Sequence, residues 1–154
     1  MPPPPAAPGP GWTPVQPFPS LDNSTFLVAN SSGERVRIAY FLGPEAGRLY
    51  ARAWFGRETQ GPPGHVHGGA MAAVLDEAMG GACWINGHRT VAARISVSFL
   101  EMLRLESETT VEAWVERVEG RKIMLRATLA GADGRPIAES DGLFIVREQA
   151  FRET

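Results

Sequence analysis

A single cysteine, Cys83, rules out any disulfide within the chain, so stability must come from a packed core. Neither sign of charge dominates. Fifteen Lys and Arg against 17 Asp and Glu leave a net charge of −2 at pH 7. That balance excludes the broad basic field that would draw nucleic acid or an anionic membrane surface. No apolar run approaches the ~20 residues of a membrane-spanning helix, so no membrane partner is expected. Basic residues are missing from everything before Arg35. The N-terminal stretch lacks the charged start of a secretory leader and the Arg-rich character of a mitochondrial one, and a cytoplasmic protein is expected. Histidine is scarce too. His65 and His67 stand two apart, with His88 as the third, which falls short of a metal-ligand pattern, and no metal is expected.

The chain has 154 residues, of which 44% are hydrophobic, enough for one domain with a core of its own. Residues 1–20 hold nine of the 13 prolines. Proline at that density forbids a helix interior or a central strand. A tail is expected there, extended or disordered, ordered only where Trp12 or Phe18 finds an apolar groove. A proline-motif ligand for a partner domain is the functional alternative. The folded domain is expected over 21–148, followed by a short tail over 149–154.

Alternation of apolar and polar residues predicts strands at 34–41, 48–55, 90–99, 107–118, 121–132 and 136–146. Turn signals separate them, at 43–47, 86–89, Glu119-Gly120 and 132–135. On the strand over 90–99 the alternation puts Val91, Ile95, Val97 and Phe99 on one face and Arg94, Ser96 and Ser98 on the other. A single substantial helix is expected from Gly68 to Ala82, after the second strand. Hairpin spacing makes the sheet mainly antiparallel, and one helix covers one face of it. The fold class is α+β, with about six strands and one helix.

On a helical wheel Met71, Val74, Leu75, Ala78, Met79 and Ala82 form a wide apolar stripe that should pack on the sheet. Gly69, Ala73, Asp76 and Gly80 form a second stripe, and every member but Asp76 is tiny. Small residues admit another backbone, so this stripe reads as a contact seam. A carboxylate in a seam costs free energy unless it is paired or useful, which singles out Asp76. Glu77 lies about 100° further round and is expected to be the bland acid of the pair. His67-Gly68-Gly69 opens the helix. Backbone N–H groups at a helix start have no intrahelical partner and carry the positive end of the dipole, which suits an oxyanion. His67 is placed to cap that turn or orient a ligand.

The stretch "GPPGHVHGGAMAAVLDEAMGGA" (61–82) resembles the hotdog-fold acyl-CoA thioesterases of the phenylacetate-pathway (PaaI) type and the related eukaryotic thioesterase superfamily. The shared pattern is His-Gly-Gly, then an apolar helix with an acid nine positions after the histidine, here Asp76. "ARISVSFLEMLRL", "VEGRKIMLRATL" and "AESDGLFIV" resemble the family's long central strand, its hairpin and its closing strand.

The resemblance implies a single hotdog domain, a curved antiparallel sheet wrapped around the central helix. It implies a homodimer, often paired into a tetramer, with active sites between subunits. It implies that Asp76 activates water or attacks a thioester carbonyl. The Gly68 N–H, with Gly69 beside it, polarises the carbonyl oxygen, and His67 orders the turn. Gly120, Arg121 and Lys122 match a position near the coenzyme A phosphates. Coenzyme A is then part of an acyl-CoA substrate, and no separate cofactor is implied.

The sequence departs from the family where a polar helper is often found. The strand position is Ala92, with Thr90 and Arg94 two residues to either side. The position six before the histidine is Gly61, with Gln60 adjacent. Thr90, Gln60 and Arg94 are the candidate substitutes. Two other readings follow: a non-catalytic binder of acyl-CoA or acyl-carrier protein, and, ranked last, a hotdog dehydratase or hydratase.

Overall fold

The alternating segments pair into one antiparallel sheet, and the period-3.6 segment lies across it. The computed structural model describes residues 7–18, 25–29 and 33–147. The expected C-terminal tail over 149–154, and residues 1–6 and 19–20 of the expected N-terminal tail, lie outside the described residues. The strands are β1 (Thr13–Pro14), β2 (Val36–Leu42), β3 (Leu49–Phe55), β4 (Thr90–Phe99), β5 (Ser107–Glu119), β6 (Lys122–Gly131) and β7 (Pro136–Val146). Helix α1 (Phe26–Ala29) is a single turn, and α2 (Gly68–Ile85) is the central helix. Sheet order is β1-β2-β3-β5-β6-β7-β4, antiparallel throughout.

Six of the seven strands fall where alternation predicts them, within a residue or two. The seventh, β1, is too short to leave a periodic signal, and α1 is likewise invisible as a pattern. Helix α2 runs one turn beyond the expected Ala82. Cys83 continues the buried stripe there, and Asn86 closes the helix by donating from its side chain to the Ala82 carbonyl at 2.7 Å.

The wide apolar stripe of α2 is buried as its spacing requires. Val74, Leu75 and Met79 have no exposed surface, and they meet Leu49, Phe55, Val111, Leu125 and Leu129 from the sheet. Gly142 on β7 lets the helix approach, since a Cβ there would sit 3.1 Å from the Met79 sulfur.

The proline-rich segment is bound to the sheet over its described part. Trp12 stacks on Phe41 and Tyr50, with ring centroids 5.5 and 4.8 Å away. The Arg52 guanidinium also lies over its ring, 4.7 Å from the centroid. Thr13 and Pro14 pair with β2, and the Val15 N–H donates to the Tyr40 carbonyl at 3.0 Å. Phe18 then meets Tyr40 edge-on from the helix side. The segment thus passes around the β2 edge from one face of the sheet to the other.

Candidate active site on the central helix

The loop before α2 is fixed by backbone bonds before any side chain is considered. The His67 N–H donates to the Thr59 carbonyl at 2.7 Å, and Val66 N–H to Leu103 at 2.8 Å. Gly61 packs so tightly on His67 that a Cβ would lie 2.8 Å from its Cα. That contact explains why no polar side chain stands at Gly61. Gln60 is used locally instead, its Oε1 accepting from the Gly64 N–H.

His67 is the N-cap of α2. Its Nδ1 accepts from the Gly69 N–H at 2.7 Å, which puts the proton of the neutral ring on Nε2. A Cβ on Gly69 would press on that ring at 2.9 Å. The Gly69 N–H is therefore committed to His67, contrary to the expectation of two glycine donors side by side. Gly68 differs. Among the described residues nothing accepts from its N–H. It opens on a cavity of about 280 Å³ with Met71, Phe99 and Met102. On the other side of the helix start, His67, Gly69 and Gln60 line a cavity of about 390 Å³.

Asp76 is half-buried and takes no hydrogen bond from any described residue. Burial raises its pKa above the ordinary carboxylate value. It lines a cavity of about 340 Å³ whose other walls are mostly apolar, Phe18 and Phe144 among them. Glu77 lines the same cavity, which corrects the expectation that the two acids point to different places. Glu77 Oε1 accepts from the Thr25 hydroxyl at 2.6 Å. Burial raises the Glu77 pKa, opposed by the hydroxyls of Thr25 and Tyr40 and assisted by the Asp76 charge. The Tyr40 hydroxyl is buried with no hydrogen-bond partner among the described residues, and burial and then the nearby Glu77 charge raise its pKa well above the usual value.

The candidate helpers separate. Ala92 lines the Asp76 cavity and stands opposite Phe144. A bulge between Ala92 and Arg94 breaks the expected alternation. Arg94 therefore pairs opposite Leu143, off the Ala92 face, and is solvent-exposed. Val91 likewise leaves the face of Ile95 and Val97 and is 41% exposed. Thr90 is buried beside Cys83, whose thiol burial pushes up to about 11. Neither Thr90 nor Arg94 lines the Asp76 cavity.

Gly120, at φ 60°, makes the β5–β6 turn that presents Arg121 and Lys122. Backbone bonds bring two further cations to this corner, missed in the sequence because they lie far apart in it. The Val146 N–H donates to Arg121, and the Arg147 N–H to Arg89, each at 2.9 Å. Among the described residues, Arg89, Arg121, Lys122 and Arg147 form no ion pair. Arg89 stands two residues before Val91, which lines the Asp76 cavity. Among the described residues no three His, Cys, Asp or Glu gather closely enough to hold a metal ion. None of the described helices is long and apolar enough to cross a membrane.

Residues 63–138 match the Thioesterase superfamily. Acyl-coenzyme A thioesterase THEM4 of Bos taurus is 33% identical over 121 residues, covering 78% of this chain and 45% of that protein. A thioesterase superfamily protein of known crystal structure is 30% identical with a TM-score of 0.64, over 70% of this chain and 53% of that one. The E. coli PaaI protein from the phenylacetic acid degradation operon shares the fold at 17% identity, with a TM-score of 0.70 over 82% of this chain and 86% of its own. The chain spans about half the length of the curated relatives it matches.

Proposed function

Because the chain belongs to the thioesterase superfamily and has its hotdog fold, we propose that it hydrolyses an acyl-CoA thioester with Asp76 as general base or nucleophile. The observation that carries this is a half-buried carboxylate with no donor from the described residues, set in an apolar cavity on the helix that His-Gly-Gly opens. A desolvated, unbonded carboxylate is a stronger base than a solvated one. Water, or the carboxylate itself, adds to the carbonyl carbon. The developing oxyanion is met by the Gly68 N–H at the positive end of α2. When water attacks, Asp76 takes its proton, the C–S bond breaks, that proton passes to the coenzyme A sulfur and the acid leaves. When Asp76 attacks, C–S cleavage releases the coenzyme A thiolate, which takes a proton from solvent, and leaves a mixed anhydride on Asp76 that water hydrolyses to release the acid. His67 holds the turn that aims Gly68. Gly120, Arg121 and Lys122, joined by Arg89 and Arg147, hold the coenzyme A phosphates as a local cationic corner on an otherwise acidic chain.

This reading requires a second copy. Gly68 and Asp76 lie eight residues apart on α2, about 12 Å of helical rise. One carbonyl needs its oxyanion donor at about 3 Å and its attacking group at about 3–3.5 Å. A homodimer therefore supplies Gly68 from one copy and Asp76 from the other, and a tetramer repeats the arrangement. A reducing cytoplasm suits the single buried thiol.

The test is turnover of an acyl-CoA panel, followed with a thiol reagent, for wild type and Asp76→Asn. Loss of a base of this kind costs about 10²–10⁴-fold; equal rates would remove Asp76 from the mechanism. Ala92, which brings no hydroxyl to the cavity, favours one second reading: a non-catalytic binder of acyl-CoA or acyl-carrier protein. Binding across the same panel with no turnover would establish that reading instead.

A further inference from the structure

We propose that Phe18, delivered by the proline-rich segment, is the end wall of the acyl site beside Asp76 and determines which acyl groups fit. The inference rests on the thioesterase reading for the identity of the ligand, and on the cavity for its location. Among the described residues, no lysine or arginine lines the Asp76 cavity. The phosphate-bearing arm of coenzyme A has nothing to meet there, whereas an apolar acyl group does. Inside the cavity Gly80 stands between two rings. A Cβ built on it would lie 3.6 Å from Phe144 and 3.8 Å from Phe18, ordinary contact with both. Those two rings line the cavity over the helix at Gly80, four residues and about one turn beyond Asp76.

Phe18 is held, not loose. Its ring meets Tyr40 edge-on, with centroids 6.3 Å apart and planes at 82°. Pro17 before it packs on Gly81, whose Cβ position lies 3.3 Å from the proline ring. β1 and the Trp12 stack fix the segment upstream. The wall therefore comes from outside residues 63–138, the part that matches the superfamily. Specificity is set by the proline-rich segment, while the chemistry stays on α2.

The experiment uses the full chain as wild type, Phe18→Ala, Phe18→Trp and Gly80→Ala. Non-hydrolysable thioether analogues of butyryl-, octanoyl-, palmitoyl- and phenylacetyl-CoA give Kd, and the matching thioesters give kcat/KM. One methylene in an apolar site discriminates about 10–200-fold. Phe18→Ala should raise the octanoyl-to-butyryl preference by at least about tenfold. Phe18→Trp and Gly80→Ala should move it the other way. Gly80→Ala leaves the segment untouched and favours the helix, so it reads the wall even if Phe18→Ala fails to fold. Preferences in Kd that stay within twofold of wild type in Phe18→Trp and Gly80→Ala would overturn the proposal. Kd preferences that move without turnover by any protein would support the wall and defeat the thioesterase reading alone.

Discussion

Asp76 and Glu77 are adjacent in sequence and share one cavity, yet their surroundings assign them different work. Glu77 has the Thr25 hydroxyl as a donor and Tyr40 beside it; Asp76 has neither. Replacing Glu77 separates charge from hydrogen bonding. Glu77→Gln keeps an acceptor for Thr25 and removes a half-buried charge, so denaturant stability at pH 7 should be unchanged or slightly higher. Glu77→Ala removes the acceptor from the Thr25 hydroxyl and should cost about 1–3 kcal/mol in the same titration. Both carboxylates have raised pKa values in the folded protein. Their contribution to stability is fully present below the ordinary carboxylate value and is lost as pH rises through the raised one. Asp76→Asn should therefore gain stability relative to wild type at neutral pH, and the gain should vanish in acid. If Asp76 is the base or nucleophile proposed, the acid limb of the kcat/KM profile should lie above the ordinary carboxylate range, because that role needs the ionised form. Asp76 was legible in the sequence because a lone acid among glycine and alanine violates its surroundings. The role of Glu77 was not, since its donor Thr25 is 52 positions away and no local period connects them.

At the scale of elements, legibility followed period. Helix α2 and the six longer strands each repeat a pattern over seven or more residues, and each was found. The bulge in β4 was not, because one extra residue leaves composition untouched while reversing the face of all that precedes it. That reversal removed Arg94 from the candidate helpers. The start of α2 was partly legible. His-Gly-Gly announces a helix start, but which N–H stays open depends on the His67 ring, which commits Gly69 and spares Gly68. His67→Ala should cost about 1 kcal/mol as a lost cap. His67→Asp, which caps without a ring, should recover most of that stability in thermal melts. If His67 serves only as the cap, the same substitution should also restore turnover; stability recovered without activity would give the imidazole a further role at the turn.

At the scale of the whole molecule the two sheet edges are treated differently. β2 is covered by Thr13 and Pro14, whereas β4 has β7 on one side and no described strand on the other. β4 also ends in exposed apolar residues, with Phe99 51% and Leu100 49% accessible. An open edge of ten residues with such side chains is a template for another strand, and the separation of Gly68 from Asp76 asks for a second copy. The direction of the edge groups follows from one bond. The Leu100 N–H donates to Ile137 toward β7 at 2.8 Å, so by alternation the N–H groups of Ile95, Val97 and Phe99 point outward. Val97→Pro removes an outward donor and spares the β7 ladder, a placement that edge strands tolerate. Sedimentation should find the wild type as a dimer or tetramer and Val97→Pro shifted to monomer, with circular dichroism unchanged. Turnover of acyl-CoA should fall with the monomer fraction, because each copy then holds a Gly68 and an Asp76 that cannot reach one carbonyl. A monomeric variant with full activity would require a single chain to bridge about 12 Å, and would send the search for the oxyanion donor away from Gly68.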